Sequence, residues 1–134
     1  MIKRAIHLSV LLAISGIAIV ACKNAKTIQP ENFKTFYQKF LTDERFQLSR
    51  IEFPLDGCET DSDTTIYWEN EDDWTLLTGS IYDVDTTMYK VEKSYSPTKV
   101  ELKIYIPDSG FSVTQQYELE DGKWYLVMYD SMSS

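Results

Sequence analysis

The sequence predicts an α+β domain in which N-terminal helices pack on a C-terminal antiparallel meander sheet. Three observations carry this. Apolar residues recur at helical spacing from Phe33 to Leu41. Apolar and polar residues alternate along Lys99–Ile106 and again along Phe111–Leu119. Asp-Ser-Gly and Asp-Gly turn residues punctuate those runs, as in hairpins. A chain of 134 residues fits one domain, with no room for a dinucleotide-binding pair or an eight-stranded α/β barrel.

At the start, Lys3 and Arg4 precede a 14-residue apolar run, Leu8 to Ala21. That length suits a secretory leader and is short for a membrane-spanning helix, which needs about 20 residues. Ile19-Val20-Ala21-Cys22 follows the run. The pattern resembles a bacterial lipobox, which implies cleavage after residue 21 and acylation of Cys22. Acyl chains buried at about 0.8 kcal/mol per methylene would anchor the chain to a membrane. Lys23 and Asn24 come next, with no Asp directly after the cysteine. By analogy with lipoprotein sorting, this implies the outer membrane, facing the periplasm. Residues 22–29 are then a lipidated tether, and residues 30–134 the single folded domain.

Processing changes the chemistry available. His7, the sole histidine, leaves with the leader, and Cys22 goes to lipid. Cys58 is left without a disulfide partner in the chain and without an imidazole to activate it, so Cys-His and Ser-His catalysis are excluded. Histidine-based zinc sites are excluded with them. Loss of Lys3 and Arg4 takes the formal charge from −8 to −10, which argues against a nucleic-acid partner.

In the body, Phe33, Phe36, Tyr37, Phe40 and Leu41 form one helical stripe within Pro30–Leu41, and Pro30 and Glu31 suit a first turn. Thr42 or Asp43 caps a second helix, Glu44–Leu48. Arg50–Leu55 reads as a strand that Pro54 confines to an edge or an end. Asp56–Thr65 reads as an acidic loop, and Ile66–Trp68 as a short strand. Asn70 caps a short helix running through Leu77. Strands Thr87–Tyr95, Lys99–Ile106, Phe111–Leu119 and Lys123–Tyr129 complete the meander. In the last of these, Trp124, Leu126 and Met128 share one face, and Tyr125, Val127 and Tyr129 share the other. Both faces are apolar, so the strand is central or its outer face meets a partner.

Phe36, Tyr37 and Phe40 are followed by Phe46-Gln47-Leu48-Ser49-Arg50-Ile51-Glu52-Phe53-Pro54-Leu55. With the Trp-bearing middle and the meander, this resembles a family of bacterial lipoproteins of unknown function. That resemblance implies a cystatin-like or nuclear-transport-factor-2-like cone, and it transfers no catalytic residues.

Asp56, Glu59, Asp61 and Asp63 are oxygen ligands of a kind that suits Ca²⁺, but Thr65 and Ile66 break the EF-hand pattern, and a solvated loop is the simpler reading. No metal, cofactor or catalytic residue is assigned. Aromatics are the more unusual signal: 6 Phe, 3 Trp and 9 Tyr, all after the leader. Trp68 and Trp74 flank an acidic segment, and either line a cone mouth or belong to the core. Arg50 either pairs with an acid or faces a ligand. These three with Tyr89 are the candidate ligand-binding residues. The leading expectation is a lipid-anchored, non-enzymatic domain binding a small ligand or a protein partner. The alternatives are a carboxylate-dependent hydrolase or isomerase, and a homodimeric envelope protein pairing through Tyr125, Val127 and Tyr129.

Overall fold

The computed structural model describes residues 28–134. The predicted leader, Cys22 and the tether up to residue 27 lie outside the described residues. Two helices, α1 (Phe33–Thr42) and α2 (Glu44–Ser49), precede six strands: β1 (Ile51–Asp61), β2 (Thr64–Trp68), β3 (Lys90–Tyr95), β4 (Lys99–Ile106), β5 (Phe111–Glu120) and β6 (Lys123–Ser133). Helix α1 starts with its stripe at Phe33, so Pro30 and Glu31 precede it rather than forming its first turn. Asn32 is the cap, its side chain accepting from the Thr35 amide at 3.1 Å. Asp43 caps α2 through the Phe46 amide at 3.0 Å. The helix expected after Asn70 is a single 3₁₀ turn, Glu71–Asp73, closed by a capping box between Asn70 and Asp73.

One sheet holds all six strands in the order β2-β1-β6-β5-β4-β3. The predicted antiparallel meander β3–β6 is present, and β6 is central. The sheet is mixed, however, because β1 lies parallel to β6. Asp56–Thr65 is not a loop. It forms most of a β1–β2 hairpin, with Thr60 opposite Thr65 and Asp61 opposite Thr64. Pro54 lies in an interior strand rather than at an edge. It falls where pairing with β6 skips from Ile51 to Asp56 and before pairing with β2 begins at Leu55, so its missing N–H leaves no gap in either ladder. Gly57 bulges between Leu55 and Cys58 at φ +97°, where a Cβ would sit 2.1 Å from the Tyr129 carbonyl oxygen.

The stripe of α1 packs across the sheet onto Tyr117, which is fully buried in β5. The rings of Phe36, Tyr37 and Phe40 lie 5.8, 6.0 and 5.7 Å from it. Leu102, Leu126 and Trp124 fill the same layer, so the space between helix and sheet is packed rather than hollow.

A second bulge changes which residues of β6 face that layer. Leu126 pairs with Tyr117 and Met128 with Gln116, leaving Val127 as an extra residue. The alternation flips there, and Tyr129 joins Trp124 and Leu126 on the inner side, its ring against Trp68 and Trp74. Tyr125, Val127 and Tyr129 therefore do not share the one face that strict alternation predicted.

Candidate functional site

Of the four residues nominated from sequence, only Trp68 and Trp74 are brought together. Trp68 ends β2 pointing inward and is 2% exposed. Its Nε1 donates to the Tyr129 carbonyl at 2.9 Å, and its ring meets Trp74 edge-on at 5.2 Å. Trp74 is buried too and donates from Nε1 to Gln47 Oε1 at 3.0 Å. Both are core residues with their polar handles already used, not the walls of a mouth. Tyr89 is half-buried against Phe111 at the end of β3 opposite Tyr95.

Arg50 borders a small recess beside Phe46, but its guanidinium is committed to partners within the protein. Its two terminal nitrogens donate to the two carboxylate oxygens of Glu31 at 2.6 and 2.7 Å, and Nη1 also donates to the Trp124 carbonyl at 3.1 Å. Phe46 lies flat against the guanidinium at 4.5 Å. Glu31 Oε2 further accepts from the Trp124 amide at 2.9 Å. The bond from Arg50 holds the Glu31 carboxyl below its ordinary value. The triad ties the chain before α1 to the start of β6, so Arg50 is structural.

Sequence reasoning missed two features. One is Gln47, 1% exposed, whose amide donates to the Phe40 and Leu77 carbonyls and accepts from Trp74 Nε1 and the Leu77 amide. This pins the long connection between β2 and β3 against the helices.

The other is a groove. Beyond Leu77 the connection passes along α1 and makes a 3₁₀ turn, Ile81–Asp83, where the Ile81 amide donates to the buried Tyr37 hydroxyl at 3.2 Å. Between this turn, the end of β3 and the outer flank of α1 lies a groove of about 760 Å³, within the roughly 300–1,000 Å³ of small-molecule sites. Its apolar wall is Phe33, Tyr37 and Leu41, spaced i, i+4, i+8 on one edge of the helical stripe. Tyr82 and Tyr95 form the opposite rim, their hydroxyls hydrogen-bonded to each other. Tyr82 is 46% and Tyr95 55% exposed. Ring contacts join the two sides: Phe33 stacks on Tyr37 at 5.7 Å, Tyr37 meets Tyr82 edge-on at 5.8 Å, and Phe33 meets Tyr95 edge-on at 6.5 Å.

Lys93 Nζ lies 4.5 Å from the centre of the Tyr82 ring. Burial raises the Tyr37 hydroxyl, and burial together with the bond to Tyr95 raises Tyr82, so both are neutral donors at neutral pH. The one signal in the sequence was the width of the stripe. Phe33, Tyr37 and Leu41 form a second row beside Phe36 and Phe40, more than one packing layer needs. Nothing local marked Tyr82 or Tyr95. Among the described residues, no group of three or more His, Cys, Asp or Glu is placed to hold a metal ion.

Comparison with known proteins agrees with this architecture. No curated protein matches the chain. An NMR structure of a protein from Bacteroides uniformis is similar at 27% identity, covering 78% of each chain, with a TM-score of 0.48. A crystal structure of an NTF2-like protein from Bacteroides fragilis is similar at 23% identity with a TM-score of 0.50. The match covers 78% of this chain and 48% of that one, so this chain spans about half of that protein's length. Residues 31–133 match a family model described simply as "-like". The chain belongs to this family, one of unknown function with the nuclear-transport-factor-2-like fold.

Proposed function

We propose that this chain is a lipid-anchored binding domain of the bacterial cell envelope, held through Cys22 in the outer membrane on its periplasmic side, and that it takes a small ligand in the groove beside α1 without transforming it. The groove carries this reading: an aromatic wall and rim enclose a volume of small-molecule size, open to solvent on one side. The leader, Ala21-Cys22 and the loss of His7 with the leader support the anchored, non-catalytic part of it. Intact-mass measurement on protein from its native host is expected to find a chain starting at Cys22 with added acyl mass. Thermal-shift screening beside turnover assays tests the binding part. A saturable rise in melting midpoint that Tyr95→Ala removes, with no product formed, is the expected outcome. Turnover abolished by replacing a single Asp or Glu would make the protein an enzyme instead.

A further inference from the structure

We infer that the ligand of this groove is an uncharged, polyhydroxylated ring, a saccharide by chemical class. The inference rests on the groove being the binding site, and it follows from what the groove leaves uncommitted. The two charged residues in its lining, Lys34 and Asp83, are of opposite sign, so the lining itself is neutral in a chain of formal charge −8. An organic anion would face Asp83 within an acidic protein. An organic cation would face Lys34, and the ammonium of Lys93 already sits over the Tyr82 ring.

A neutral ligand remains, and hydrogen bonding decides which kind. Among the described residues, the side chains of Gln38, Thr78 and Asp83 have no hydrogen-bond partner, although they line the groove. Asn32 uses only its oxygen, to cap α1. Covering these groups with a purely apolar molecule would strip their water and leave them unpaired, at about 1–3 kcal/mol each. A sugar ring supplies what both sides need. Its C–H face would meet the aromatic lining at Phe33 and Tyr95, and its hydroxyls can both donate to Asp83 and accept from Asn32, Gln38 and Thr78, which line the same groove.

The test is a titration of the full ¹⁵N-labelled chain in detergent micelles, followed by amide NMR. The probes are maltose, cellobiose, lactose and N,N′-diacetylchitobiose, with N-phenyl-1-naphthylamine, phenyltrimethylammonium and benzoate as the apolar, cationic and anionic comparators. At least one disaccharide is expected to give saturable shifts confined to α1, residues 78–83 and Tyr95. Tyr95→Ala is expected to weaken it about tenfold, as loss of one aromatic contact should. Gln38→Ala is expected to weaken it severalfold, which stacking alone would not produce. Amide spectra of the variants establish that each remains folded. Groove shifts with a comparator and none with any disaccharide would overturn the saccharide assignment and leave the groove standing as a site. No groove shifts with any of the seven would overturn both.

Discussion

The two flanks of α1 carry similar residues and do opposite things. On the flank toward α2, Arg50, Glu31 and Trp124 close on one another, with both terminal nitrogens of Arg50 and both carboxylate oxygens of Glu31 within 2.6–3.1 Å of a partner. On the other flank, Phe33, Tyr82 and Tyr95 border open space, and Gln38, Thr78 and Asp83 beside them have no side-chain partner among the described residues. Residue type does not separate the flanks, since both are aromatic with charges interleaved. Cover over the rings does, together with the partners found by the charged and amide groups. A polar aromatic whose donor is used and whose ring is covered holds the fold, and one that keeps solvent on a face is available to a ligand.

If the contrast is sound, replacements on the packed side should act on stability and replacements at the groove should not. The largest effect is expected from Trp68→Ala, which removes a fully buried ring and its hydrogen bond to the Tyr129 carbonyl. A loss of about 3–5 kcal/mol by urea denaturation is expected. A loss under about 1 kcal/mol would mean the residue is not core.

Next comes Glu31→Gln, expected to lower stability at neutral pH by about 1–2 kcal/mol, because the pair is partly exposed. Its sign with pH sharpens the comparison. Arg50 holds the folded-state Glu31 carboxyl below its ordinary 4.5, so the pair's contribution is complete above that value. It is lost as pH falls through the folded-state pKa. The stability gap between wild type and variant should therefore narrow below pH 4.5, and a gap that stays constant with pH would contradict an ionised pair.

Tyr95→Ala should give the smallest change, within about 1 kcal/mol, since the residue is 55% exposed. A larger loss would make the groove rim part of the core.

Much of this was legible in the sequence because it is local. The α1 stripe, the cap at Asp43 and the β4–β5 and β5–β6 turns each lie within a few residues and follow periodicity or turn chemistry. What escaped depends on distant partners or on single-residue slips. The hairpin at Asp56–Thr65 hid because Gly57 interrupts its alternation and its outward residues are acidic. The extra residue at Val127 reverses the parity of β6, so Tyr129 reads as outward and packs inward. Trp68 was visible as a residue, but the carbonyl that satisfies it lies 61 positions away. The groove escaped for the same reason: Phe33 is separated from Tyr82 and Tyr95 by more than a third of the chain, and they meet only once β3 is in place.

That the tryptophans belong to the core and not to a binding surface can be read without mutation. Trp68, Trp74 and Trp124 are all of the tryptophans, at 2%, 8% and 4% exposure. Steady-state fluorescence of the native protein with acrylamide as quencher is expected to show blue-shifted emission and weak quenching that becomes strong only on unfolding. Red-shifted native emission quenched as readily as that of the unfolded chain would place the indoles in solvent and contradict the division between core tryptophans and groove tyrosines.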